Sequence, residues 1–290
     1  MGLLKLAYSP CPNDTFVFRA WVQGLIPEAP EVEEQLEDID TLNLMALRDR
    51  ADIVKVSMHA FAHLRGSYAL LHSGGAMGRG CGPLVVAPKD GRLRPAPSLQ
   101  RVAVLADELS RARVAIPGEL TTGALLAGLF TGGLKQPVIM PFDSIMPAAA
   151  AGEVEAGVII HEGRFTFGSY GLRRLIDLGE WWEEFSRLPI PLGGIAVSRS
   201  LAPDLQADVE KAVRASLEHA RAHPDEAMTY VGEHSQEMDP DVCRRHIELY
   251  VNDFTLDYGE EGEDAIRQLL DAAVCFGVAP PSDQGLFWDD

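Results

Sequence analysis

Apolar and polar positions along the chain switch repeatedly between two spacings. Short runs rich in β-branched and aliphatic residues predict buried strands: "LLKLAYS" (3–9), "DIVKVS" (52–57), "ALLHSGG" (69–75), "PLVVAP" (83–88), "RVAIP" (113–117), "PVIMPF" (137–142), "AGVII" (156–160) and "GGIAVSRS" (193–200). "VEEQLED" (32–38) predicts one more. Between them lie segments of helical spacing. "NDTFVFRAWVQG" (13–24) predicts a helix capped by Asn13 and closed by Gly24, and "DTLNLMALRDR" (40–50) one capped by Asp40. "MHAFAHL" (58–64), "TTGALLAGLF" (121–130) and "IMPAAAAGE" (145–153) complete this part. After Ser200 only helices are predicted; the first sets Leu205, Val209, Val213, Leu217 and Ala220 on one face.

Alternating strands and helices predict an α/β fold with mainly parallel strands. At 290 residues, the chain exceeds what one compact core usually holds. Two α/β lobes are expected, residues 1–86 with 195–290 and residues 87–194, with a ligand cleft between them. "PLVVAP" and "GGIAVSRS" would be antiparallel connecting strands acting as a hinge. The net charge of −18 is spread along the chain, which disfavours nucleic acid and anionic membrane surfaces as partners. No apolar run nears the roughly 18 residues of a membrane span, and the first residues do not form a secretion signal. Cys11, Cys81, Cys243 and Cys275 are scattered with no C-x-x-C pair, so neither a disulfide framework nor a zinc site is expected. These features predict a reduced, cytoplasmic protein.

In open α/β sheets, ligands sit at the carboxyl ends of parallel strands. Four predicted strand ends carry small polar or titratable side chains: Ser9, Ser57, Thr121 with Thr122, and His161 at the close of "EAGVIIHEGRF" (155–165). At the first three a helix follows at once, and its leading amides would favour an anionic group. The competing reading for each alone is a helix cap. "GGAMGRGCGP" (74–83) lacks the spacing of a nucleotide-binding loop and reads as a turn. His59 with His63, and His219 with His223, have the i,i+4 spacing of metal ligands but no adjacent Glu in the H-E-x-x-H sense, so no metal site is expected. Trp181 and Trp182 read as packing residues.

"SPCPNDTF", "SGGAMGRGCGPLVV", "IPGELTTGALL", "MPFDSIMPAAAAGEVEAGVIIHEGRFTF", "LPIPLGGIA" and "HIELYVNDFTLDYGEEG" together resemble the 1,4-dihydroxy-6-naphthoate synthase family of menaquinone biosynthesis by the futalosine route. The resemblance spans nearly the whole chain and is weakest from Asp90 to Ala112. It implies a two-lobed fold of the type 2 periplasmic-binding-protein kind and a cofactor-free lyase. In that reaction cyclic dehypoxanthinyl futalosine loses dihydroxyacetone and aromatises to 1,4-dihydroxy-6-naphthoate. The resemblance further implies His161 as proton acceptor, with Lys55, Val56, Ser57, Thr121 and Thr122 binding the substrate. Ser9 joins them as a strand-end candidate. An imidazole suits proton abstraction at neutral pH, and hydroxyls with helix-start amides suit a small carboxylate.

Two alternatives stand beside this reading: a chorismate dehydratase-like lyase of the same pathway, and a non-catalytic small-carboxylate-binding protein. If the strand stays extended through residue 162, His161 and Glu162 point to opposite sides, so only one faces a ligand. His161 is then the base. Glu162 has a structural part, pairing with Arg164 or capping nearby amides.

Overall fold

The computed structural model describes residues 3–96, 98–235 and 239–290. Residues 1, 2 and 97 of the expected lobes, and 236–238 of the expected helical tail, lie outside the described residues. The chain forms two units, Met1–Gly78 with Pro191–Asp290, and Arg79–Ile190.

The first unit opens with β1 (Leu4–Tyr8), α1 (Pro12–Val22), β2 (Val32–Leu36), α2 (Ile39–Ala46), β3 (Ile53–Ser57), α3 (Met58–Leu64), β4 (Tyr68–Leu70) and β5 (Ala76–Gly78). The second contains β6 (Leu84–Pro88), α4 (Leu99–Arg111), β7 (Arg113–Ile116), α5 (Thr122–Thr131), β8 (Gln136–Ile139), α6 (Phe142–Ala150), β9 (Ala156–Ile159), the short turn α7 (Gly163–Thr166), β10 (Leu172–Asp177) and α8 (Leu178–Ser186). The chain then returns through β11 (Ile190–Ser198) and ends in α9 (Pro203–Ala222), α10 (Pro224–His234), α11 (Pro240–Tyr250), α12 (Asp253–Leu256) and α13 (Gly259–Cys275).

In the first sheet the strands run β2-β1-β3-β11-β4, with β5 also paired to β11. β1 is parallel to both β2 and β3, so the ends of β1 and β3 that carry Ser9 and Ser57 lie at the same edge. Every residue of β3 is buried, as expected of a strand covered on both faces. α1 is buried over nearly its whole length because the sheet lies on one side and α9, α10 and α11 on the other. Val209, Val213, Leu217 and Ala220 of α9 join Leu6, Tyr8, Phe18 and Trp21 in one core, the face that their spacing predicts.

The second sheet runs β10-β6-β9-β7-β8. β7 is parallel to β8 and β9, whereas β6 is antiparallel to β9 and β10. Its core gathers Leu84, Val86, Ala115, Ile145, Val154, Ile159 and Leu172.

Several expectations need correction. Of the two expected connecting strands, "PLVVAP" forms β6 of the second sheet and "GGIAVSRS" lies within β11, antiparallel to β3 and β4 in the first. Each strand satisfies its backbone within its own sheet. The units meet in sequence at 78/79 and 190/191. Asn13 does not cap α1, which starts at Pro12 with Cys11 at the cap position. Asp38, rather than Asp40, caps α2 by accepting from the Asp40 and Thr41 amides at 3.0 and 3.1 Å. The turn 74–83 contains β5.

Candidate active site

In the first unit the strand-end residues form a buried polar network. Ser9 donates its hydroxyl to Asp14 Oδ2 at 2.6 Å. Lys55 Nζ donates to Asp14 Oδ1 at 2.7 Å and to the Gly74 carbonyl at 3.3 Å. Asn13 Nδ2 reaches Asp14 Oδ1 at 2.8 Å, and the His246 ring is 2.9 Å from Asn13 Oδ1. The Lys55 and Asp14 side chains are only 5% and 4% exposed, so each charge depends on the other. Two helices from distant parts of the sequence, α1 and α11, thus meet β3 through polar side chains.

Ser57 ends β3 and sits at the cap position of α3, yet its side chain makes no capping bond. Asn43 of α2 holds it instead: Asn43 Nδ2 donates to Ser57 Oγ at 3.1 Å, and the Ser57 amide donates to Asn43 Oδ1 at 2.9 Å. Val56, between Lys55 and Ser57, is fully buried. Strand alternation turns its side chain to the opposite face, leaving only its backbone to meet a ligand.

In the second unit, Thr121 caps α5. Its hydroxyl donates to the Gly118 carbonyl at 2.9 Å and accepts from the Ala124 amide at 3.2 Å. Thr122 opens the helix and is buried. The start of α5 lies tight against the end of β9, since a side chain at Gly123 would touch Val158 and Ile160.

His161 follows β9, but not as a continuation of it. The strand ends at Ile159, and His161 adopts a left-handed backbone with φ +54°. Glu162 then turns helical, and the Gly163 amide closes back on the Ile160 carbonyl at 3.2 Å. The alternation argument separating His161 from Glu162 therefore fails, because the backbone is not extended there. His is among the few non-glycine residues enriched in this region, and such conformations cluster at functional sites. The imidazole packs edge-on to Phe142, which opens α6, with centroids 5.1 Å apart.

Arg164 is engaged away from the expected carboxylate. It pairs with Asp177, and its Nη1 donates to the Gly80 carbonyl at 2.9 Å. Asp177 in turn caps α8, accepting from the Gly179 and Glu180 amides at 2.9 and 3.1 Å. Nearby, burial pushes the Cys81 thiol up to about 12, so it stays a neutral packing group.

Sequence reasoning about sites named none of Asn13, Asp14, Asn43, His246 or Asp177 as members. "PND" in the first quoted motif was the available signal for Asn13 and Asp14. His246 opens the quoted motif "HIELYVNDFTLDYGEEG", whereas Asn43 and Asp177 come from segments with no such pattern.

A protein-family model described as menaquinone biosynthesis matches residues 4–274. A 1,4-dihydroxy-6-naphthoate synthase from Thermus thermophilus is 46% identical over 287 residues, covering 99% of this chain and all of that one. A solved structure from Archaeoglobus fulgidus is 35% identical with a TM-score of 0.85, over 95% of this chain and 98% of that one. A Candida albicans protein described as having the generic periplasmic binding protein fold superposes with a TM-score of 0.67 at 14% identity, over 98% of this chain and 92% of that one. The two α/β units thus build a fold of the periplasmic-binding-protein kind, and the chain belongs to the 1,4-dihydroxy-6-naphthoate synthase family of menaquinone biosynthesis.

Proposed function

We propose that this chain is a lyase that converts cyclic dehypoxanthinyl futalosine to 1,4-dihydroxy-6-naphthoate and dihydroxyacetone, with His161 as the base. The observation that carries the reading is near-full-length identity to a synthase of that product. The placement of His161, on a left-handed turn just past the end of β9, supports its part. The imidazole takes a proton from the substrate; the adjacent carbon–carbon bond breaks as a new carbonyl forms on the departing fragment. The electron pair left on the ring system is protonated, and aromatisation draws the reaction forward. The step is a proton transfer and a fragmentation, with no net change of oxidation state to hand to a redox cofactor.

Ser57 is the candidate donor to the substrate, because among the described residues its side chain accepts from Asn43 and donates to none. Lys55 supplies positive charge from within the network, and Val56, Thr121 and Thr122 contribute backbone and the helix start. Ser9 acts through Asp14. The substrate is a small carboxylate, and the protein works in the cytoplasm.

The test incubates the purified protein separately with cyclic dehypoxanthinyl futalosine and with chorismate, following naphthoate fluorescence and product mass. Naphthoate and dihydroxyacetone in equal amounts, formed by wild type and at least about 10²-fold more slowly by His161→Asn, is the expected result. Dehydration of chorismate instead, or tight binding without turnover, would overturn the reading in favour of one of the two alternatives.

A further inference from the structure

We propose that Arg164 and Asp177 form a clasp that positions His161, an inference that rests on the reading of His161 as the base. The left-handed backbone at His161 carries a cost that its surroundings must offset, even though His tolerates it better than most L residues. Upstream, β9 is fixed by its pairing with β6 and β7. Downstream are α7, four residues long, and the 3-10 turn Phe167–Tyr170 that continues it, each far too short to hold itself as a helix. Arg164 makes the polar tie from α7 to the body of the unit, beside Phe167, which packs against its core.

That tie is well founded. Asp177 is 1% exposed on its side chain and is already fixed by the α8 amides it caps. The Gly80 carbonyl, the other acceptor of Arg164, belongs to a residue whose amide donates to Glu183 Oε1 of α8 at 2.7 Å. Two residues on, Gly82 and Gly179 bring their backbones so close that a Cβ on either would fall within 2.7 Å of the other's backbone atoms. Arg164 therefore spans two anchors that are locked to each other, and a guanidinium does so because its donors diverge in one plane. A lysine offers a single point charge and cannot hold both anchors in the same way. With α7 pinned at 164 and β9 pinned at 159, the intervening turn has little freedom, and the imidazole is held against Phe142.

Two variants test the clasp. Arg164→Lys keeps a charge opposite Asp177. Arg164→Gln/Asp177→Asn makes the pair neutral and retains an acceptor for capping α8. Arg174, 3.9 Å from Asp177, keeps a cation near in either case. Both are compared with wild type and His161→Asn for kcat, KM and thermal unfolding. They are also compared by histidine-selective ¹⁵N spectra, in which His161 is distinctive because every other histidine lies in the first unit. The expected result is a fall in kcat of about tenfold or more with KM within about threefold, and a displaced or broadened His161 signal with the other histidines unmoved. Wild-type kcat in either folded variant, a rise in KM alone, or an unchanged His161 signal would overturn the clasp. Failure of both variants to fold would also overturn it, since the pair would then serve stability and not the turn. If His161→Asn keeps wild-type kcat, the reading of the base falls, while the spectra still judge the clasp. If His161→Asn is inactive and the clasp variants run at full rate, only the clasp falls.

Discussion

Removing the carboxylate of Asp14 should expose how strongly the first unit depends on a single buried anion. Asp14 accepts from Ser9, Asn13 and Lys55 at 2.6, 2.8 and 2.7 Å, and it is 3% exposed. In Asp14→Ala the Lys55 ammonium keeps only the Gly74 carbonyl at 3.3 Å. A buried charge stripped of its partner costs about 3–5 kcal/mol. The Ser9 hydroxyl can rotate to water or to a neighbour, so its lost acceptor adds little. Asp14→Asn keeps an oxygen for Lys55 but not the charge, and about 2 kcal/mol is expected. In Lys55→Met/Asp14→Leu both charges are gone and the space is refilled, so the cost should drop to about 0–2 kcal/mol. The order Asp14→Ala, Asp14→Asn, double variant, from most to least destabilised, is the signature. Urea unfolding reads it as shifts in midpoint at constant slope. A cost below about 1 kcal/mol for Asp14→Ala, or a double variant as unstable as the sum of its singles, would refute the claim that the pair is mutually dependent.

Three further outcomes follow from burial. Of the four cysteines, Cys275 alone is exposed, so native protein at pH 8 should release one equivalent of chromophore quickly with a disulfide thiol reagent; rapid reaction of two or more would contradict the packing around Cys11, Cys81 and Cys243. The Tyr258 hydroxyl is buried with no hydrogen-bond partner among the described residues, and burial drives its pKa upward, so Tyr258→Phe should be neutral or more stable by about 1 kcal/mol in a calorimetric scan. A loss of stability larger than that would mean the hydroxyl is bonded after all. Burial, with His223 stacked 4.3 Å away and Arg19 near, lowers the His219 pKa against a weaker opposing pull from Glu226. The folded state thus resists this proton more than the unfolded chain does; the stability is whole above the ordinary histidine value and is lost as pH falls through the lower folded one, so His219→Gln should lose less stability between pH 7 and 5 than wild type.

What could be read in the sequence was whatever rests on local period. β3, β7 and the apolar face of α9 are short, strongly patterned segments, and their burial follows from spacing alone. The elements that escaped have weak or broken patterns. α4 is amphipathic but chiefly polar: its buried stripe holds little more than Leu105 and Leu109, while Leu99 and Val104 face outward at 83% and 45% exposure, so few apolar residues mark it. β10, "LRRLID", is an edge strand with two adjacent arginines at its centre, so charge hides a half-buried strand. The cap of α2, Asp38, lies two residues before the expected Asp40, because both suit the position and only the direction of the chain on entry decides between them. The fold class was legible because strands and helices alternate; the sheet partners of β6 and β11 were not, because pairing is a non-local property.

The three strand-end hydroxyls make the same point at the level of single protons. From sequence, Ser9, Ser57 and Thr121 are equivalent: each follows a strand and precedes a helix. A hydroxyl has one proton to give and two lone pairs. Ser9 gives its proton to Asp14, and Thr121 gives its own to the Gly118 carbonyl. Each then has only acceptor capacity left, which suits a ligand hydroxyl and repels a carboxylate. Ser57 is the reverse case. Asn43 donates to it, which occupies a lone pair and leaves the proton directed elsewhere. Asn43 also accepts the Ser57 amide, so its amide orientation is set by two bonds, and the acceptor state of Ser57 is set with it. An anionic ligand therefore distinguishes Ser57 from the other two by charge and not by position. The residue that makes the difference, Asn43, lies fourteen positions upstream on a separate helix, where no strand-end rule would look for it.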